Sequence, residues 1–147
     1  MIWSIFDFTD TRGKSVIQQW ADDIRLEERD RGRLDLRIDL LEKNGEGLST
    51  EVLAGTRKRH IKKIKVKGRI QLRPLLCRGP FTTEQNGVHT PERGFTFLLG
   101  AVEKDWEFVP QDALERAEAN RTTLLADFSR RIKHERLSRQ TKRELSE

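Results

Sequence analysis

The chain has 147 residues, of which 35% are hydrophobic and 36% are charged, and its formal net charge is +5. This length is typical of a single domain, its short apolar runs exclude a membrane-spanning helix, and its single cysteine, Cys77, excludes an internal disulfide. Residues 1–8 lack the basic lead of a secretory signal, so we expect a cytoplasmic protein that makes no contact with a membrane.

The first third of the chain predicts one strand and two helices. Apolar residues on both sides of residues 2–8 indicate a buried strand. The first helix should begin after Ser15, and the second should end at Asn44-Gly45. The residues predicted to face the core are Val16, Trp20 and Ile24 in the first helix, and Leu34, Ile38 and Leu41, widened by Leu36 and Leu40, in the second.

The middle of the chain predicts three strands. In the first, Ile64 and Val66 alternate with lysines. The second runs from about Ile70 to Leu76, and the third covers residues 95–101. The polar residues 79–94 between the last two strands indicate a long loop.

A third helix should open at Pro110, because proline suits the first turn of a helix. We expect residues 126–147 to form a charged extension, helical or flexible, outside a domain that covers residues 1–125. The element order predicts an α+β fold, in which a small antiparallel-rich sheet packs on the two N-terminal helices and a C-terminal helical extension follows.

Positive charge is concentrated in one segment. Residues 57–78 contain ten Lys or Arg and no acidic residue, whereas residues 103–118 contain six acids and two bases. A basic surface such as residues 57–78 would form attracts RNA or DNA. The alternative is a solvated strand face with no ligand.

Three stretches of the sequence resemble the RelE/ParE toxin superfamily, especially its HigB-like, phage-derived branch. They are Leu40–Gly45, the pair Ile61–Val66 and Gln71–Leu76, and Phe97–Lys104 followed by Pro110 and residues 113–121. The resemblance covers about residues 2–125 and implies a RelE-like fold. It also implies the toxin of a type II toxin–antitoxin system, held by an antitoxin protein and acting as a ribosome-associated mRNA endoribonuclease.

Members of this family cleave RNA without a metal, and the resemblance implies no cofactor. Cleavage needs cations that stabilise the phosphorane and groups that move protons. The resemblance gives these catalytic roles to Arg73, Lys65 and Lys104. The residues expected to bind RNA are Lys63, Lys67, Arg69, Arg57 and Arg59. A structural ion pair is the alternative for Arg73 and for Lys104, which has acidic neighbours.

The chain also departs from the family pattern. It contains no tyrosine, and its three histidines lie away from the last predicted strand. Two other hypotheses therefore stay open, a ParE-like gyrase inhibitor and a catalytically degenerate member that binds nucleic acid or a partner. No Cys/His spacing suits zinc, so no metal site is expected. Trp106 either packs on the sheet or stacks on a base. The sequence does not predict the oligomeric state.

Overall fold

The computed structural model describes residues 2–138, which contain three α-helices and eleven β-strands. The helices are α1 (Val16–Asp23), α2 (Glu28–Asn44) and α3 (Ala113–Ala126), and a short 3-10 turn covers Gly45–Gly47. The strands are β1 (Ser4–Phe8), β2 (Leu53–Gly55), β3 (Lys62–Ile64), β4 (Gln71–Leu72), β5 (Leu75–Arg78), β6 (Thr82–Gln85), β7 (Val88–Pro91), β8 (Gly94–Leu99), β9 (Val102–Lys104), β10 (Glu107–Val109) and β11 (Arg131–Lys133).

The main sheet has six strands in the order β11-β1-β8-β5-β3-β2. Strands β1 and β8 are parallel, and the other neighbours are antiparallel. Strands β4, β9 and β10 form a smaller sheet, and β6 pairs with β7. The α+β class and the antiparallel-rich sheet predicted from the sequence are confirmed.

The sheet carries a hydrophobic core on each face. Helices α1 and α2 cover one face and bury Leu34, Ile38 and Leu41, as predicted, against Phe95 and Phe97 of β8. Helix α3 covers the other face. There the buried residues include Ala113, Leu114, Ala117 and Leu124 of the helix and Leu75 and Leu98 of the sheet. Strand β8 contributes to both cores because alternate side chains of a strand point to opposite faces.

Several finer predictions are wrong. In α1, Ile17 and Ala21 are the fully buried residues. Of the predicted stripe, Val16 and Trp20 are partly buried and pack against the core, whereas Ile24 is exposed. Leu36 and Leu40 of α2 are also exposed. Helix α3 begins three residues after Pro110.

The C-terminal extension was predicted to be helical or flexible, but the chain after α3 forms strand β11, which pairs with β1. Residues 131–138, called here the C-terminal segment, continue along the sheet. The backbone N–H of His134 donates to Ile5 O at 2.9 Å, and Leu137 is buried in the core under α1 and α2. Residues 139–147 of the predicted extension lie outside the described residues.

Candidate nucleic-acid interface

The predicted lysine face is formed by β3 and the residues that follow it. Ile64 and Val66 point into the core under α1 and α2. Lys63 and Lys65 alternate with them and therefore belong to the opposite side of the chain, the side of Ile61, which packs in the core under α3. Lys67 lies beyond the strand and lines a small cavity with Arg33 and Arg37 of α2. The register that pairs Lys63 with Leu75 and Val66 with Leu72 places Lys65 opposite Arg73.

The cations of this face lack acidic partners. Within residues 2–138, no carboxylate lies within 4.0 Å of the amino groups of Lys63, Lys65 or Lys67, or of the Arg69 guanidinium. Lys63 and Lys65 are half-buried, and Lys67 and Arg69 are exposed. A group of uncompensated cations along one short segment of the chain produces a positive potential that attracts phosphates. We call these four residues the basic face.

Arg73 does not belong to this exposed set. Its side chain is only 6% accessible, and its guanidinium donates to Leu72 O at 2.8 Å and Val66 O at 3.4 Å. It also donates to Gln71 Oε1 at 3.3 Å, and it lies 3.5 Å from Glu103 Oε2. The structure thus places Arg73 in the structural ion pair that was the alternative to a catalytic role, because its donors point at protein groups.

Lys104 stands at the end of β9 and is exposed. Its cross-strand partner in the register is Glu107, yet its amino group forms no ion pair within the described part of the chain. It lies on the small β4-β9-β10 sheet, whereas Lys65 follows β3 of the main sheet. Lys65 itself lies outside the strands, between β3 and Val66, which bridges to Leu72 of β4.

The loop between β2 and β3 carries the remaining predicted cations, and helix α3 neutralises part of them. Arg57 forms an ion pair with Glu115, and Lys58 Nζ lies 3.6 Å from Glu118. Arg59 is exposed. The positive charge of Arg121, then burial and the charge of Arg59, lower the pKa of His60, which keeps its imidazole neutral at pH 7.

The hairpin formed by β9 and β10 adds two aromatic side chains beside the basic face. Trp106 lies in its turn and is 96% exposed, so Trp106 does not pack on the sheet. Phe108 is half-buried, and Lys63 Nζ lies 5.5 Å from its ring centroid, within reach of a cation–π contact.

A cavity of about 410 Å³ lies between this hairpin, the β2–β3 region and the start of α3. Its lining includes Arg57, Lys63, Trp106, Glu107 and Phe108. Sequence reasoning missed Phe108 and Glu107. Val102 and Phe108, apolar residues on either side of Asp105-Trp106, were the available signal for the hairpin. The cavity, however, also needs Arg57 and Lys63, which come from a region far earlier in the sequence.

Two other groups of reactive side chains do not form catalytic sites. Cys77 is buried, and this burial raises the pKa of its thiol to about 12, so the nucleophilic thiolate is absent at neutral pH. Ser15 Oγ donates to Asp7 Oδ2 at 2.7 Å, and His134 Nδ1 lies 2.8 Å from Asp7 Oδ1. In a nucleophilic triad the histidine stands in the middle. Here the aspartate does, and the group holds the C-terminal segment to the sheet.

The described residues contain no group of three or more His, Cys, Asp or Glu side chains that could hold a metal ion. None of the helices in residues 2–138 has the length and apolar character that crossing a membrane requires.

No protein-family model matches the sequence, no curated protein is significantly similar to it, and no solved structure is significantly similar to its fold. Membership of the RelE/ParE superfamily therefore stays a prediction from the sequence motifs.

Proposed function

We propose that this chain binds RNA through its basic face, as the toxin of a type II toxin–antitoxin system with a RelE-like fold. The observation that carries the proposal is the group of four cations without acidic partners, with Phe108 beside Lys63. Phosphates supply the missing negative charge, and exposed aromatic rings stack on unpaired bases. The toxin role and the antitoxin partner rest on the resemblance in the sequence.

Ribosome-dependent cleavage of mRNA is the activity that the resemblance implies. In this proposal Lys65 and the other cations of the basic face neutralise the phosphate. Arg73 has a structural role, because its hydrogen bonds to Val66 O and Leu72 O hold β4 against the chain that precedes it. A specific observation favours a second candidate, a member that binds RNA without cutting it. Arg73, the residue matched to the family's strand arginine, uses its donors on carbonyls of its own chain.

Binding is tested by the salt dependence of affinity for a labelled single-stranded RNA. We expect Lys65→Gln to weaken binding to all sequences alike and to reduce the slope of log affinity against log salt by about 0.7–1, the value for one lost phosphate contact. Lys14→Gln is the matched control, since Lys14 is exposed in the β1–α1 turn and its loss changes the net charge equally. Equal slopes for both variants would remove Lys65 from the interface.

Cleavage is tested by induced expression followed by primer extension on a reporter mRNA. Codon-positioned cuts with the wild type that disappear in the Lys63→Gln/Lys65→Gln variant would support the endoribonuclease. Growth arrest with intact messages contradicts it, and loss of plasmid supercoiling in that case would indicate the ParE-like gyrase inhibitor. Unchanged growth, with RNA affinity retained, would indicate the binding member.

A further inference from the structure

The turn of the β9–β10 hairpin holds a large side chain where the backbone disfavours one. Asp105 and Trp106 both have positive φ, 53° and 67°. Two-residue turns of this kind favour Asn-Gly or Asp-Gly, and a bulky residue there costs free energy. Because the indole is 96% exposed, packing within the chain does not offset this cost. Strain of this type is a reason to look for a ligand.

The cavity under the hairpin has walls of different character. The wall from the β2–β3 region carries Lys63 and Arg57, of which Arg57 is paired with Glu115. The hairpin wall carries Trp106, Glu107 and Phe108. Glu107 forms no ion pair within residues 2–138, and its Oε2 accepts a hydrogen bond from Gln111 Nε2 at 3.2 Å. Within the described residues, one cation without an acidic partner, two aromatic rings and one carboxylate with further acceptor capacity thus line the same cavity.

The phosphate and the base of an RNA nucleotide each suit a different wall of this cavity. The phosphate suits Lys63 and the basic face, and it would be repelled by Glu107. The base suits the aromatic rings, since rings of this kind stack on unpaired bases. A carboxylate accepts hydrogen bonds only, so the edge of the base that meets Glu107 must donate. Guanine offers two adjacent donors, N1–H and N2–H, which match the two oxygens of one carboxylate in the bidentate manner of an Arg–carboxylate pair.

We propose that this cavity binds an unpaired guanine of single-stranded RNA, with Glu107 accepting from N1–H and N2–H while Trp106 and Phe108 hold the ring. Base pairing uses the same guanine edge, so a guanine in a duplex is not recognised. This inference rests on the proposed RNA binding and adds a base preference to it. The cavity volume of about 410 Å³ falls in the range of about 300–1,000 Å³ found for small-molecule sites.

The test measures the anisotropy of labelled oligouridines that carry one central guanine, adenine or inosine. Inosine keeps N1–H but lacks the N2 amino group. We expect the wild type to bind the guanine oligonucleotide about tenfold more tightly than the inosine one, the discrimination typical of one bidentate contact. Glu107→Gln should abolish this preference without weakening binding to plain oligouridine. Glu84→Gln, which removes an exposed carboxylate of the β6–β7 hairpin, should leave it intact.

A second variant keeps the hairpin folded while removing the ring. Trp106→Gly produces the Asp-Gly dipeptide that this turn favours, so any loss of affinity comes from the indole. We expect weaker binding to every oligonucleotide. Equal affinity of the wild type for guanine and inosine would overturn the guanine site and leave RNA binding intact. Absence of binding to every oligonucleotide would overturn the proposed function itself.

Discussion

Arg73 shows how the same residue supports two interpretations until its surroundings are known. In sequence, an arginine in a basic strand is a candidate phosphate ligand. In the fold, its side chain is 6% accessible and its guanidinium is used by two backbone carbonyls, Gln71 and Glu103. Leu72 directly precedes Arg73 in the sequence, whereas Val66 lies across the chain, where it forms a β-bridge with Leu72. No local sequence pattern indicates that these acceptors converge.

We therefore predict that Arg73→Gln lowers the free energy of unfolding by about 2–4 kcal/mol, because several hydrogen bonds from a charged donor are lost. Urea denaturation followed by far-UV circular dichroism measures this change. Arg69→Gln is the control, since Arg69 is exposed and should alter stability by less than about 0.5 kcal/mol. A fully stable Arg73→Gln variant that no longer binds RNA would return Arg73 to the interface.

At the scale of single elements, the sequence predicts those with a buried face. Strand β1 and helix α2 carry apolar patterns that the fold uses, and Ser15 caps α1 as expected by accepting from Gln18 N at 3.1 Å. Gln18 does not complete the capping box, because its side-chain amide donates to Glu135 O at 2.9 Å. That partner is 117 positions away, beyond the reach of a local pattern.

The β6–β7 hairpin and strand β11 were missed for a different reason. All eight residues of β6 and β7 are exposed, so no apolar alternation marks them, although Asn86-Gly87 is a strong turn signal. In β11, Ile132 and Lys133 are exposed. This strand is held by pairing with β1, and the segment after it is held by acidic side chains from α2 and β1.

The C-terminal segment is fastened mainly by one buried carboxylate. Asp35 is 1% exposed and accepts from Leu137 N at 2.8 Å and from Ser138 N at 3.0 Å. Arg136 donates to both carboxylate oxygens of Asp39 at 3.0 Å. Because these contacts join residues about a hundred positions apart, they stabilise the docked segment but do not specify its secondary structure locally.

We predict that Asp35→Ala releases Leu137 and Ser138 from α2 and lowers the free energy of unfolding by about 2–4 kcal/mol, since two hydrogen bonds to a charged acceptor are lost. Hydrogen–deuterium exchange of the C-terminal peptide should become faster, while exchange in β5 and β8 stays slow. Asp23→Ala, which removes an exposed carboxylate of α1, is the control. Unchanged exchange of the peptide in the Asp35→Ala variant would contradict this role.

At the scale of the whole molecule, the sequence predicts only part of the way in which charged and apolar residues are separated in space. The basic stretch was visible as a run of ten cations without an acid. The sequence did not show that Glu115 and Glu118 partly neutralise this stretch, because these acids reach the β2–β3 loop from α3. The cavity beside Lys63 is likewise a product of tertiary packing. Sequence alone predicts the kind of ligand here, and only the fold indicates which cations stay free to meet it.

The two cores should unfold as one unit, because they share the central strand β8. Phe95 and Phe97 of this strand are buried under α1 and α2, whereas Leu98 is buried under α3. We predict that Leu34→Ala in the first core and Leu98→Ala in the second each cost about 2–5 kcal/mol. Both should shift a single urea transition that is identical by tryptophan fluorescence and by far-UV circular dichroism.

The fluorescence probe discriminates between shared and separate unfolding, because Trp3 and Trp20 pack against the first core, whereas Trp106 is 96% exposed and changes its surroundings little on unfolding. If the cores were independent, Leu98→Ala would shift part of the dichroism signal and leave the fluorescence transition in place. The control is Leu36→Ala, which lies two residues from Leu34 in the same helix but is 59% exposed, so it should change stability by less than about 0.5 kcal/mol. If Leu98→Ala shifts both transitions together, then destabilising the core under α3 also destabilises the core under α1 and α2. The position of Lys65 and Lys67 would then depend on both cores, because Ile61 before them packs in the core under α3 and Ile64 packs in the core under α1 and α2.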